Sequence, residues 1–226
     1  MDWHWSFGKL SHQGRMHQEI VAFPSHHFYD DALQCLPASV PLSVRQQAAL
    51  AYQLPEQADG WMKILNQCRV GFLPIRNEAY EQYKTNLSEA SAIAKMAKAI
   101  TDLYTFNQLP LRASTLGIIT PYRAQIAQIR KALNREGLPT DDITVDTVER
   151  YQGGARDVIL ISLCTNHIHQ LESLVNLSSE GVDRKLNVAL TRARKHLFVF
   201  GNPDLLEREP IYQAFIEKYL VKTPEH

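Results

Sequence analysis

The order of apolar runs and amphipathic segments in the second half of the chain constrains the fold most. Four short runs predict strands: residues 115–120, 143–148, 158–164 and 197–201. Their apolar residues are continuous and not alternating, as in strands that are buried on both faces. The remaining segments have helical periodicity and predict helices at residues 86–107, 124–134, 183–195 and 205–219. This alternation indicates an α/β domain with a mainly parallel sheet and helices on both faces.

The first third of the chain has weaker patterns. Residues 11–33 predict a short helix, a turn at Pro24–Ser25 and a second helical turn ending near Leu33, because proline disrupts a helix interior. Prolines and scattered glutamines predict an irregular segment or insertion at residues 35–83, with one strand at 70–75. At the start of the helix predicted for 86–107, Ser88 is the expected N-cap.

Composition limits the possible partners. The 226 residues are 45% hydrophobic, which suffices for a sizeable core, and 24 Lys and Arg balance 24 Asp and Glu. A net charge of zero means that any nucleic-acid contact must be local. The three cysteines are far apart, which indicates reduced thiols and a cytoplasmic protein. No apolar run approaches the ~18 residues that a membrane span needs, so no membrane partner is expected.

Residues 183–194 carry four basic side chains together with an apolar row. Leu186, Ala189, Leu190 and Ala193 have the spacing of one buried helix face, so a helix anchored to the core would present arginines from one edge. The alternative is an ordinary solvated basic face.

Ligands of parallel α/β sheets bind at the carboxyl ends of the strands. The sequence places three polar candidates there: residues 120–123, residues 151–154 and the arginines of 184–194. We therefore expect all three to meet at one edge of the sheet.

Four stretches then carry a specific resemblance. They are residues 15–17 with 23–25 and 28–29; 117–122 with Gln125; 145–148 through 152–153 to Asp157; and 186–194. In this order they resemble the second, C-terminal RecA-like domain of superfamily 1 helicases, closest to the branch of the nonsense-mediated-decay helicase and its DNA-acting relatives. With Asn86 and Glu89–Ala90, which match a smaller signature, the resemblance covers most of residues 13–203. It implies a RecA-like, P-loop-NTPase-type fold and a single domain over residues 1–226.

The resemblance implies catalytic and nucleotide-binding roles for two arginines. Arg192 and Arg15 match arginines that reach across a cleft to ATP held mainly by a first domain. A guanidinium suits this role because its forked donors and permanent charge stabilise the negative charge of phosphoryl transfer. Gln152 and Gly153 match nucleotide-binding positions that couple ATP to nucleic acid; the alternative is an ordinary Gly-Gly turn.

The resemblance also implies contacts with single-stranded DNA or RNA. The matching positions are Thr120, Tyr122, Arg123, Thr144, Thr147, Asn187 and Arg194. Hydroxyls and backbone amides at strand ends suit phosphate contacts that ignore sequence. For each threonine the alternative is a strand hydroxyl bonded to the backbone.

Several expected features depart from the family or are missing. Ala155 stands where relatives have an acidic residue that contacts the nucleotide sugar, and Gly14 stands where they have a base-stacking aromatic residue. The histidine pairs lack a third ligand, so no metal site is expected. A Gly-Lys-Ser/Thr phosphate loop appears nowhere in the sequence, and neither does a strand that ends in an acidic pair.

These absences predict the C-terminal half of a two-domain motor, inactive by itself. ATP and Mg²⁺ would be held mainly by an N-terminal RecA-like domain of the same protein, which is the expected partner. The expected location is cytoplasmic, at the nucleoid for a bacterial DNA helicase. One alternative is a degenerate, non-catalytic module that binds nucleic acid or a protein; another is a free-standing nucleotide-binding protein with flavodoxin-like topology.

Overall fold

The computed structural model describes residues 11–76, 84–151, 154–175 and 183–224. Its strands are β1 (His12–Gln13), β2 (Gln34–Cys35), β3 (Val70–Pro74), β4 (Leu116–Thr120), β5 (Thr144–Thr147), β6 (Arg156–Ser162) and β7 (Ala193–Gly201). Its helices are α1 (Gln18–Phe28), α2 (Ser43–Gln47), α3 (Gly60–Gln67), α4 (Leu87–Phe106), α5 (Arg123–Arg135), α6 (His169–Leu174), α7 (Arg184–Leu190), α8 (Pro203–Leu206) and α9 (Pro210–Tyr219). Within these residues, no helix combines the length and the apolar character needed to cross a bilayer.

Five strands form one parallel sheet in the order β3-β7-β6-β4-β5, and β1 pairs with β2 beside it. Alternate side chains of β7 enter two cores: Phe198 and Phe200 pack with α3, α4 and α5, whereas Leu197 and Val199 pack with α1, α6, α7 and α9. Each such buried side chain contributes about 1.5–3 kcal/mol. The predicted α/β class, with a parallel sheet covered on both faces, is confirmed.

The basic helix is shorter than its apolar row predicts. Helix α7 ends at Leu190, and Ala193 already belongs to β7. The neighbouring strand causes the change, because the N–H of Arg156 donates to the carbonyl oxygen of Arg192 at 3.0 Å and Ala193 pairs with Arg156. The prediction of a helix to residue 195 is therefore wrong, and Arg192 and Arg194 are not helical.

Two predictions about helices α1 and α4 are also wrong. Helix α1 is continuous through Pro24, which is buried together with Ile20 and Phe23. This burial offsets the ~3 kcal/mol that an interior proline costs. Helix α4 is capped by Asn86 instead of Ser88, because the Asn86 side chain accepts the N–H of Glu89 at 2.7 Å.

The segment 35–83 is more regular than its prolines predict. Asp59 caps α3, whose Trp61, Ile64 and Leu65 enter the core under α4. Strand β3 forms five register pairs with β7, from Val70 with Leu197 to Pro74 with Gly201. This segment therefore supplies an outer strand of the main sheet.

Candidate functional site

The predicted site residues lie at the two opposite ends of the parallel strands. Thr120 and Thr147 end β4 and β5, whereas Arg192 directly precedes β7, which runs parallel to both. Seven residues of β6, roughly 20 Å of strand, separate the two ends. The expectation that all three candidates meet at the carboxyl ends is therefore wrong. We call the amino end of the strands, with Arg15, Arg192 and Arg194, the arginine edge. We call the carboxyl end, with Thr120, Tyr122, Arg123 and Thr147, the threonine edge.

At the arginine edge, Arg15 and Arg192 come together from distant parts of the chain. Nη1 of Arg15 donates to the carbonyl oxygen of Thr191 at 3.1 Å. Burial lowers the pKa of Arg192, and the positive charge of Arg15 lowers it further. Among the described residues neither arginine forms an ion pair, and the buried Nε of Arg192 has no hydrogen-bond partner. Two half-buried guanidinium groups without a carboxylate favour an anionic ligand.

Tyr29 connects the helices on either side of this pair. Nδ2 of Asn187, on α7, donates to the Tyr29 hydroxyl at 3.1 Å, just beyond the end of α1. Helix α1 follows Arg15 and α7 precedes Arg192, so this bond joins the two segments that carry the arginines. Asn187, predicted to contact nucleic acid, is thus held by a side chain near the arginine edge.

Arg194 differs from Arg192, although only one residue separates them. Nη1 of Arg194 lies 3.5 Å from Oδ1 of Asp157, and Nζ of Lys195 lies 2.9 Å from Oδ2 of the same carboxylate. Arg194 therefore has a counter-ion within the chain. Its place at the arginine edge also separates it from Thr120, Tyr122, Arg123 and Thr147, four other residues predicted to contact nucleic acid.

At the threonine edge, Thr120 and Thr147 are paired across β4 and β5, and both are buried. The Thr120 side chain is 0% exposed, and its hydroxyl has no partner among the described residues. Tyr122 is half-buried and precedes α5, whose first residue, Arg123, is exposed. As the chain stands, Tyr122 and Arg123 are the accessible members of this edge, and Thr120 becomes accessible only if the turn after β4 opens.

Thr144 lies apart from these residues. It starts β5 opposite Gly117, and its hydroxyl accepts a hydrogen bond from Nη2 of Arg156 at 3.0 Å. The chain after β5 lies against the sheet, because an ideal Cβ on Gly117 would be 1.8 Å from the Tyr151 hydroxyl oxygen. Gln152 and Gly153 are outside the described residues.

A buried polar cluster beneath the threonine edge was not recognised as a unit from the sequence. Oε2 of Glu89 accepts from Ser162 Oγ at 2.6 Å and from the Cys164 N–H at 2.9 Å. Nε2 of Gln125 donates to the Asn86 carbonyl oxygen at 2.9 Å and to Ser162 Oγ at 3.2 Å. This cluster ties the starts of α4 and α5 to the end of β6. An Asn-x-x-Glu capping pattern at Asn86 was its available signal.

A small apolar pocket lies between the threonine edge and α7. Beside it, Nζ of Lys185 lies 3.2 Å from Oε1 of Glu149, which joins the turn after β5 to the first turn of α7. Helix α7 thus runs between the two edges. Within the described parts of the chain, no three His, Cys, Asp or Glu side chains cluster as metal ligands would.

This sheet and its connections define a RecA-like α/β domain. The family model described as an AAA domain matches residues 2–204, and the chain belongs to this family, as a C-terminal RecA-like domain of the superfamily 1 helicases. It is 28% identical over 93% of its length to a regulator of nonsense transcripts 1 homolog of Arabidopsis thaliana. It is 31% identical over 88% of its length to the DNA polymerase alpha-associated DNA helicase A of Saccharomyces cerevisiae.

An uncharacterised ATP-dependent helicase of Methanocaldococcus jannaschii is 28% identical over 96% of this chain. The chain spans only 16%, 28% and 30% of the Arabidopsis, yeast and archaeal proteins, respectively.

Proposed function

We propose that this chain is the C-terminal motor domain of an ATP-dependent superfamily 1 helicase. It supplies Arg15 and Arg192 to ATP held by a first RecA-like domain, and it contacts single-stranded DNA or RNA. The observation that carries the proposal is the arginine pair: two neighbouring half-buried guanidinium groups with no counter-ion among the described residues.

The arginine pair suits the chemistry of phosphoryl transfer. ATP with its Mg²⁺, held mainly by the first domain, supplies the transferred phosphoryl group, whose oxygens carry the negative charge. The buried Nε of Arg192 has no partner among the described residues and the group is permanently charged, so it can donate to these oxygens when the two domains close. Arg15 is held beside it by the Thr191 carbonyl oxygen and adds a second positive charge.

The threonine edge supports the nucleic-acid part of the proposal. Arg123 is exposed and Tyr122 half-buried at the start of α5, so both can reach a strand that passes over this edge. The Arg123 guanidinium can contact a phosphate and the Tyr122 ring can stack on a base, and neither contact depends on the nucleotide sequence. The Glu149–Lys185 ion pair offers a route from this edge through α7 to Arg192.

Arg192→Ala in the full-length helicase tests the proposal. Hydrolysis is expected to fall ~10³-fold, because an arginine that stabilises transferred charge contributes at least this factor. Affinity for a single-stranded oligonucleotide is expected to remain. Arg130→Ala, an exposed arginine on α5, is the matched control and should leave both quantities unchanged. Hydrolysis at the wild-type rate in Arg192→Ala would refute the proposed role.

The isolated 226-residue chain gives a second test. It has no phosphate loop of its own, so its ATP turnover is expected to be undetectable. Turnover at an ordinary enzyme rate, a few per second, would show that the chain holds ATP without a partner domain and would contradict the two-domain arrangement.

A non-catalytic module is the second candidate function. Ala155 and Gly14 favour it, because both positions lack a side chain that could contact a nucleotide. In that case a full-length protein would still bind nucleic acid or a protein partner, but it would not hydrolyse ATP even with Arg15 and Arg192 intact.

A further inference from the structure

Helix α2, in the segment 35–83, contacts the turn that carries Arg15. Its Gln46 is 0% exposed, and Nε2 of this side chain donates to the carbonyl oxygens of Gln13 at 2.8 Å and Met16 at 2.9 Å. Oε1 of Gln46 accepts the N–H of Leu36 at 3.0 Å. Both N–H groups and the oxygen are therefore used, and the two carbonyl groups that Gln46 holds lie on either side of Arg15.

Two neighbouring contacts reinforce this arrangement. The guanidinium of Arg45 donates to the carbonyl oxygen of Gly14. Nδ1 of His17 accepts the N–H of Glu19 at 3.2 Å, so Nε2 carries the proton and donates to the carbonyl oxygen of Ala48, which follows α2, at 3.0 Å. Four hydrogen bonds thus join α2 and its end to residues 13–17.

The turn at Arg15 has little regular structure of its own. Residues 14–16 form bends between β1 and α1, and the Arg15 guanidinium reaches α7 through one hydrogen bond to Thr191. A catalytic group must be held close to its working position, and a displacement of 1 Å can cost ~100-fold in rate. The bonds from α2 are well placed to supply that constraint.

We propose that Gln46 is a positioning residue for Arg15, assisted by Arg45, and that α2 orients this arginine toward the nucleotide. The inference rests on the proposed function. It gives the segment 35–83 a part in ATP hydrolysis, although none of its residues need touch ATP.

A double-mutant comparison in the full-length helicase tests the proposal. Gln46→Met keeps the length of the side chain and removes its hydrogen bonds, so kcat is expected to fall ~10- to 100-fold. If Gln46 acts through Arg15, Gln46→Met should slow hydrolysis no further in an Arg15→Ala background. Gln125→Met is the matched control, because Gln125 is also 0% exposed and bonded but lies under the threonine edge. If Gln125→Met slows hydrolysis, it should do so by the same factor in the wild-type and Arg15→Ala backgrounds.

The outcomes separate the two proposals. If Gln46→Met slows hydrolysis by the same factor with and without Arg15, its role is structural only and the positioning proposal is overturned. If Arg15→Ala and Arg192→Ala both hydrolyse ATP at the wild-type rate, the proposed function itself fails. Should Gln46→Met not fold, the exposed Arg45→Ala replaces it; a several-fold loss that disappears in Arg15→Ala supports the proposal, and an equal loss in both backgrounds overturns it.

Discussion

The two edges of the sheet present polar groups in opposite states. At the arginine edge, Arg15 and Arg192 are half-buried, close together and without a carboxylate among the described residues. At the threonine edge, Thr120 and Thr147 are buried, and the accessible groups belong to the following turn and helix. The difference favours anion binding at the arginine edge as the chain stands, whereas the buried hydroxyls of Thr120 and Thr147 would need a backbone movement before they could contact a ligand.

Arg192 and Arg194, only two positions apart, differ in whether a carboxylate lies beside them. Arg194 shares the Asp157 carboxylate with Lys195, and no carboxylate pairs with Arg192 in the described structure. A salt bridge of a partly exposed pair contributes little to stability, so the more informative arginine is the one without a partner.

Truncating one arginine at each edge gives the largest expected separation. Arg15→Ala in the full-length helicase should slow hydrolysis ~10³-fold and leave oligonucleotide affinity unchanged. Arg123→Ala should do the reverse: it should weaken oligonucleotide binding several-fold and reduce the salt dependence by about one phosphate contact. ATPase rates and binding titrations at two salt concentrations measure both. Loss of hydrolysis from Arg123→Ala at saturating oligonucleotide would remove the distinction between the edges.

Glu89 tests how far the threonine edge depends on the cluster beneath it. Glu89→Ala leaves the Ser162 hydroxyl and the Cys164 N–H without this acceptor, and the free energy of unfolding should fall by about 3 kcal/mol. Asp102→Ala on the same helix removes a half-exposed ion pair with Lys98 and should change the free energy of unfolding by less than about 1 kcal/mol. Denaturant unfolding compares them, and equal losses would show that the cluster has no special role.

Acid should weaken the arginine-edge half of the molecule through buried histidines. Burial lowers the pKa of His196 to about 3 and also lowers that of His17. Both are protonated more readily in the unfolded chain, near pH 6.5, so stability is complete above that pH and is lost as pH falls toward the folded-state values. Each contributes a slope of up to about 1.4 kcal/mol per pH unit. Unfolding between pH 7 and 5 should be less pH-dependent in His196→Leu; an unchanged slope would contradict this assignment.

Thr120 gives the smallest effect and the sharpest test of the threonine edge. Thr120→Val keeps the shape and removes a buried hydroxyl without a partner in the described chain, so the protein should become more stable by about 1 kcal/mol. If the turn opens to bind a phosphate, the same substitution should weaken oligonucleotide binding. Stability that rises while affinity stays constant would exclude a binding role for this hydroxyl.

Local patterns predicted much of the fold. The strands β4 and β6 and the helices α4 and α5 lie within two residues of their predicted bounds, because their apolar periodicity follows from their own burial. Helix α3 was missed, although Asp59 followed by Trp61, Ile64 and Leu65 carries a helix signal. The tail is divided into α8 and α9, since Pro210 begins a new helix.

The site was harder to predict because it depends on contacts between distant residues. Ala193 fits the helical row of Leu186 and Leu190, and only pairing with Arg156 in the next strand makes it the first residue of β7. Arg192 lies at the opposite edge of the sheet from Thr120 because it precedes β7, whereas Thr120 ends β4, which runs parallel to β7. Gln46 offered no local signal at all, since the carbonyl groups that it holds lie at least 30 residues away.

Strand β3 has a consequence for producing this protein. Five residues of β7, Leu197–Gly201, pair with β3, and they are among the most apolar in the chain. Deletion of β3 would leave β7 as an exposed edge strand, which recruits other chains and causes aggregation. Solubility on expression should therefore depend on β3, although β3 contributes no residue to the arginine edge or the threonine edge.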